Sequence, residues 1–182
     1  MLMNTVSKGT RTASVYDTNL FKMSVAENVA MYKPGASREE IMEALRQARC
    51  EDILEKLPNG VDSVIGARGV YLSGGEMQRI ALARAILKDA PIVLLDEATA
   101  FADAENEYLI QRALDILLHG KTVLIIAHRL QTIVHADQII VMQRGGIAEQ
   151  GTHEELMQRQ GVYAKMYHEY ENSVSWKIGG LA

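Results

Sequence analysis

Two short apolar runs, Ile92-Val93-Leu94-Leu95 and Thr122–Ala127, flank a stretch whose apolar residues recur at helical spacing. Runs this short and this uniformly apolar read as parallel strands covered on both faces. Between them Ile110, Ala113, Leu114 and Leu117 form one stripe, and His119-Gly120 ends it. Parallel neighbours need a crossover, and a helix of this length supplies one. The chain is therefore expected to be α/β, with a largely parallel sheet.

The rest of the chain is organised around that unit. Thr12–Tyr16 reads as a strand after a polar stretch, Lys8–Arg11. Ser37 and Glu40 have capping-box spacing, and Ile41, Ala44, Leu45 and Ala48 follow on one face. Helix is expected to continue over Glu51–Leu57 until Pro58-Asn59-Gly60 turns the chain. Val61–Tyr71 reads as a glycine-punctuated loop. Gly74–Leu87 is apolar on nearly all sides, which predicts a mostly buried helix, and Asp89-Ala90-Pro91 stops it. Residues 37–88 carry little strand signal and are expected to form a helical lobe. Asp137–Met142 and Ile147–Gln150 flank Gly145-Gly146 and read as a hairpin. Thr152 and Glu155 open helical segments to about Asn172, and Ser173–Ala182 reads as a loose tail.

Composition excludes several classes. A length of 182 residues fits one domain, or a domain and a small lobe. A net charge of −4 gives no support to a nucleic-acid partner. The single cysteine, Cys50, cannot form an internal disulfide, which fits a reducing compartment. No apolar run reaches the roughly 18 residues that span a bilayer. The start, Met1–Lys8, lacks the pattern of a signal peptide. The expectation is a cytosolic chain, with a membrane partner left open.

Three places carry chemistry. Ser73-Gly74-Gly75 opens a helix, where exposed N–H groups and the dipole favour an anion and glycine lets a phosphate approach. The same three residues also suit a plain serine N-cap. Asp96-Glu97 follows the first apolar strand, at the carboxyl edge where open α/β sheets bind ligands. Asp96 can hold Mg²⁺ and Glu97 can polarise a water, a role worth about 10²–10⁴-fold in rate; a solvated strand end is the alternative. His128 ends the second strand and would lie beside the carboxylates if the two strands are neighbours. His119, His135, His153 and His168 show no comparable pattern, and no zinc-ligand spacing occurs.

In order and spacing these segments resemble the ATP-binding cassette (ABC) family. Leu72-Ser73-Gly74-Gly75-Glu76-Met77-Gln78-Arg79 matches its signature motif, Ile92–Thr99 its Walker B motif, and Ala127-His128-Arg129 its switch histidine. Asp103 matches the aspartate of the D-loop. Leu20–Val29 resembles the segment after the Q-loop, where a cassette meets its membrane domain, and the wording around Asp96 looks most like exporter-type half-transporters, including siderophore-linked ones. The resemblance covers about residues 15–170. It implies a P-loop NTPase-like parallel sheet core, here incomplete, with a helical signature-motif lobe. It also implies ATP and Mg²⁺ as cofactors. Glu97 and His128 would be catalytic, Asp96 the metal ligand, and Ser73, Gly74, Gly75, Glu76 and Asp103 would contact nucleotide. In that family two cassettes pair head to tail, so Ser73, Gly74 and Gly75 would meet the γ-phosphate of ATP held by a second cassette. A transmembrane domain would be the other partner, placing the chain at the inner face of the cell membrane.

The pattern breaks in two places. No G-x-x-x-x-G-K-[ST] occurs in the 182 residues; Gly120-Lys121 is the only Gly-Lys and lies between a helix and a strand, the reverse of the motif's context. At the Q-loop, alignment on Asp17-Thr18 puts Tyr16 where the family has glutamine. The resemblance thus implies a truncated ATPase domain over 1–182: a disrupted Q-loop region to about 24, a helical subdomain over about 25–88, a Walker B, D-loop and switch core over about 89–172, and the tail. A truncated or frameshifted gene would explain both departures. The expected function is an ATPase cassette coupling hydrolysis to transport, with little or no activity in isolation and a tendency to aggregate. Two other readings are a non-catalytic fragment that lends its signature motif to a complete cassette, and a DNA-repair or chromosome-maintenance ABC ATPase. The segment Leu20–Val29 and the lack of long heptad repeats argue against the last.

Overall fold

A computed structural model describes residues 12–14, 19–66, 69–96, 104–127 and 130–179. They form two compact units, one ending at Ile126 and one beginning at Ala127.

The first unit holds β1 (Thr12–Ser14), β2 (Met23–Ser24), α1 (Val25–Ala30), α2 (Arg38–Gln47), α3 (Glu51–Lys56), β3 (Val64–Ile65), α4 (Gly74–Lys88), β4 (Ile92–Asp96), α5 (Ala104–Leu118) and β5 (Thr122–Ile126). Strands β1, β4 and β5 make a parallel sheet in that order. The two apolar runs are indeed adjacent, joined across α5, and β4 pairs with β5 from Ile92↔Thr122 to Asp96↔Ile126.

One expectation fails here. The two apolar strands are not covered on both faces. Val93 is buried in the core with Ile80, Leu82, Ile110 and Ala113, whereas Ile92, Leu94, Leu124 and Ile126 are exposed. In β4 period-two geometry explains the split, since alternate residues face opposite sides; β5 lies at the sheet edge, and there Leu124, Ile125 and Ile126 are all exposed among the described residues.

The helices of residues 25–88 share that core. Val25, Val29, Leu45, Ile53, Ile80 and Val93 belong to one buried cluster. Sequence reading missed two local features. Helix does not run unbroken from Ser37 to Leu57: Arg49 takes a left-handed φ of 57° between α2 and α3. The glycine-rich loop also contains a short antiparallel ladder, Met23↔Ile65 and Ser24↔Val64. Gly66 there has φ +85°, and a Cβ on it would sit 2.6 Å from the Phe21 carbonyl oxygen, so only glycine fits.

The second unit holds β6 (Ile139–Gln143), β7 (Gly146–Gly151), α6 (His153–Arg159) and α7 (Val162–Gly179). The hairpin is as expected: Arg144 and Gly145 both have positive φ, the primed turn that matches strand twist. Thr152 and Glu155 form the expected capping box. Ile139, Val141, Leu156 and Tyr163 are its core. The loose tail is corrected, because α7 continues as helix through Gly179.

Candidate functional site: the first turn of helix α4

Helix α4 begins at the Ser-Gly-Gly run. Ser73 is its N-cap with extended φ and ψ of −65° and 162°. Its Oγ accepts the Glu76 N–H at 3.3 Å, and the Glu76 carboxylate accepts the Ser73 N–H at 2.8 Å. This is a full capping box. The Ser73 hydroxyl proton is in turn within reach of the Glu76 carboxylate, so the hydroxyl is engaged inside the cap on both counts. The N–H groups of Gly74 and Gly75 have no intrahelical carbonyl, because the first turn of any helix lacks one. Two backbone donors therefore sit at the positive end of a 15-residue helix, beside a serine hydroxyl that can rotate between Glu76 and a ligand. Beside them Tyr71 is 90% exposed.

The two glycines differ. A Cβ on Gly74 would meet nothing within 4 Å. A Cβ on Gly75 would lie 2.7 Å from both Cβ and Cγ of Asn106, near the start of α5. Gly74 is open to an approaching ligand, while Gly75 is small because α5 packs against it.

Charged groups on α3 fix this turn in place. Lys56 Nζ lies 3.1 Å from Glu76 Oε1 and 3.9 Å from Asp52. Arg79, only 1% exposed, donates to both Asp52 oxygens at 2.6 and 2.9 Å and to the Arg49 carbonyl. The Arg79 guanidinium holds the Asp52 carboxyl below the usual range. Burial pushes the Glu76 carboxyl up, but hydrogen bonds from Ser73 and Lys56 outweigh it and hold it below its ordinary value. Both acids are thus ionised at neutral pH.

Further along α4, Arg84 is 2% exposed. Its Nε donates to the Asn28 carbonyl at 2.9 Å, and its terminal nitrogens lie 3.3 Å from the Asn19 carbonyl and Asn28 Oδ1. Asn28, fully buried, accepts the Phe21 N–H at 2.9 Å and donates to the Phe21 and Ser24 carbonyls at 3.0 Å. The same helix that presents Ser73 thus grips residues 19–28.

Of the residues expected to act, Ser73, Gly74, Gly75 and Glu76 stand together on one turn. Glu76 is engaged by Ser73 and Lys56, so its part there is to hold the turn. Asp96 closes β4 opposite Ile126, two residues before His128 in the chain. The Asp96 side chain, Glu97, Asp103 and His128 lie outside the described residues, as do Tyr16 and Asp17-Thr18. Sequence reasoning passed over Lys56, Arg79, Arg84, Asn28 and Asn106. The signal for the arginines was present: a charge within an otherwise apolar helix must be paired when buried. The Ser73–Glu76 spacing likewise announced a capping box.

Known proteins match this arrangement. The family model of the ABC transporter matches residues 4–100. An ATP-dependent lipid A-core flippase of Legionella pneumophila (strain Lens) is 52% identical over 151 residues, 83% of this chain and 26% of the relative. A mycobactin import ATP-binding/permease protein, IrtA, of Mycolicibacterium smegmatis is 54% identical over 151 residues, 83% of this chain and 17% of the relative. The solved structure of a bacterial Atm1-family ABC exporter with ATP bound overlays with a TM-score of 0.74 at 40% identity, covering 87% of this chain and 28% of that one. The chain spans about a quarter or less of the length of these proteins.

Proposed function

The chain belongs to the ABC transporter family, and from that membership we propose that it serves as the signature and Walker B part of an ATPase cassette powering an exporter-type transporter. The observation that carries the reading is the first turn of α4. Its Gly74 and Gly75 N–H groups, with a Ser73 hydroxyl that could turn from Glu76 to a ligand, suit a phosphate, and open space at Gly74 lets one approach. The phosphate would be the γ-phosphate of ATP held by a second cassette, paired head to tail.

For ATP bound on the chain's own side, Asp96 would hold Mg²⁺, Glu97 would orient the attacking water, and His128 would contact the terminal phosphate from the neighbouring strand. The pairing of β4 with β5 brings the strand ends that precede these residues together. When bound, Mg²⁺ would offset the negative charge of the phosphate. The chain's residues do the rest: donors fix the phosphate, and a carboxylate accepts the proton of the water. Asp103 would complete the contact between paired cassettes. A transmembrane domain would be the second partner, docking near residues 20–29 at the cytoplasmic face. Among the described residues, no helix is long and apolar enough to cross a membrane. Cargo is a property of other parts of such proteins: a lipid A-core flippase and a mycobactin importer resemble this chain almost equally.

The test is association with a complete ABC cassette that carries its own phosphate loop. Association is expected only with Mg-ATP, and Ser73→Ala should weaken it. The chain alone is expected to hydrolyse Mg-ATP little or not at all. Turnover by the isolated chain at the rate of a full cassette, abolished by Glu97→Gln, would overturn the proposal.

A further inference from the structure

The turn that offers donors to a phosphate also carries a negative charge. Glu76 accepts from the Ser73 N–H at 2.8 Å, so its carboxylate sits among the very groups that would receive the anion. Its side chain is 14% exposed, and little water is available to screen it. A polyphosphate arriving at Gly74 would meet that charge at close range, and repulsion between like charges would oppose the pull of the helix dipole.

The charges on α3 settle the balance. Asp52 is matched by Arg79 in a bidentate pair at 2.6 and 2.9 Å. Lys56 lies nearer Glu76, at 3.1 Å, than Asp52, at 3.9 Å. With Lys56 the four side chains sum to zero; without it the group facing the turn is left with one uncompensated negative charge. Lys56 is otherwise poorly placed to stabilise the fold, since its side chain is 67% exposed and solvent screens such a pair.

We propose that Lys56 is a positioning residue for polyphosphate: by neutralising Glu76 it lets the Ser73–Gly75 turn accept an anion that the carboxylate would otherwise repel. The inference rests on the reading of this turn as a phosphate contact, and it adds a residue outside the signature motif to the recognition of that phosphate.

The experiment follows the Gly74 and Gly75 amide resonances of the full chain during titration with tripolyphosphate at low salt. Three variants accompany the unsubstituted chain. Lys56→Met removes the charge and keeps the stem. Glu76→Gln removes the opposing charge and retains the cap, because Gln serves at that position of a capping box. The third variant combines both. Thermal melting of each confirms that the fold is kept, and Lys56→Arg serves as the conservative control. The expected result is affinity about threefold to tenfold weaker in Lys56→Met, restored in the double variant and in Lys56→Arg. The loss should shrink as salt rises.

Equal affinity in Lys56→Met and the unsubstituted chain overturns the inference. So does a double variant as weak as Lys56→Met, which would mean that Lys56 touches the anion or holds the fold. No shift at Gly74 or Gly75 in any variant removes it as well. If Lys56→Met fails to weaken binding while Mg-ATP still drives association with a complete cassette, this inference falls and the functional reading stands. The expected pattern without any such association gives the reverse.

Discussion

Replacing each signature glycine with alanine separates ligand access from internal packing. Alanine is favoured over glycine within a helix by about 0.5–1 kcal/mol. At position 74 nothing lies within 4 Å of the new methyl, so Gly74→Ala should leave stability unchanged or slightly raised. At position 75 the methyl would sit 2.7 Å from Asn106 Cβ and Cγ. Carbon atoms in contact prefer about 3.5–4.0 Å, so α4 and α5 must separate by close to an ångström or strain in place. Overpacking of this kind costs about 1–3 kcal/mol. After the helical gain is subtracted, Gly75→Ala should be less stable than Gly74→Ala, with a net change of roughly 0–2.5 kcal/mol. Urea unfolding with an unchanged m value measures the difference. The cause is isolated by Asn106→Gly, which removes the carbon atoms in question. The double variant Gly75→Ala/Asn106→Gly should be no less stable than Asn106→Gly alone, giving a coupling of about 1 kcal/mol or more. Additivity of the two single changes within about 0.5 kcal/mol would refute the argument, and equal behaviour of Gly74→Ala and Gly75→Ala would refute it too.

Two further outcomes follow from buried and capping groups. Arg84→Met keeps the apolar stem but removes the donors to the Asn28 and Asn19 carbonyls, so a loss of about 1–3 kcal/mol is expected in thermal or urea unfolding; a loss below about 0.5 kcal/mol would show that water replaces the guanidinium at no cost. Glu149 accepts the backbone N–H groups of Tyr163 and Val162 at 2.9 Å, which hold its carboxyl below the usual range. A depressed carboxylate adds stability that is present above the ordinary pKa near 4.3 and is lost as pH falls through the folded value. The melting temperatures of the unsubstituted chain and Glu149→Gln should therefore differ at pH 7 and converge on acidification, and parallel curves would exclude this cap.

What was legible in the sequence followed from local rules. The start of α4 at Ser73, the hairpin around Gly145 and the caps at Ser37 and Thr152 each depend on a few neighbouring residues. Features that depend on distant residues were not legible. Arg79 meets Asp52 27 positions away, and Arg84 meets Asn28 56 positions away. No periodicity reports such a meeting. Gly75 shows the same limit in reverse: the motif explained its small size by a ligand, whereas the structure gives it a neighbour within the chain, Asn106. The exposed face of β4 and β5 was misread because an apolar strand records what its sequence is suited to pack against, and says nothing of whether these residues supply the cover. The tail was misread for the opposite reason, since Ser173–Gly179 continues a helix nucleated upstream.

The placement of the buried arginines has a mechanical consequence for α4. Gly75, Arg79 and Arg84 fix the helix to α5, to α3 and to residues 19–28, at successive points spanning about 13 Å of its axis at 1.5 Å per residue. Arg79 and Arg84 are nearly inaccessible to solvent, and each is held by several acceptors. Breaking such a contact leaves a buried charge without partners, which costs several kcal/mol, more than a surface contact gains. Arg84 also bonds to backbone carbonyls, which cannot turn away as a side chain does. A displacement of the Ser73 turn is therefore carried along α4 to Asn28, and through the Asn28 bonds to Phe21 and Ser24 it reaches the loop ahead of α1. Tilting the helix as a unit, with residues 19–28 in tow, costs less than sliding it past them. The Ser73 turn and residues 19–28 are in this way joined through a single helix and its buried arginine.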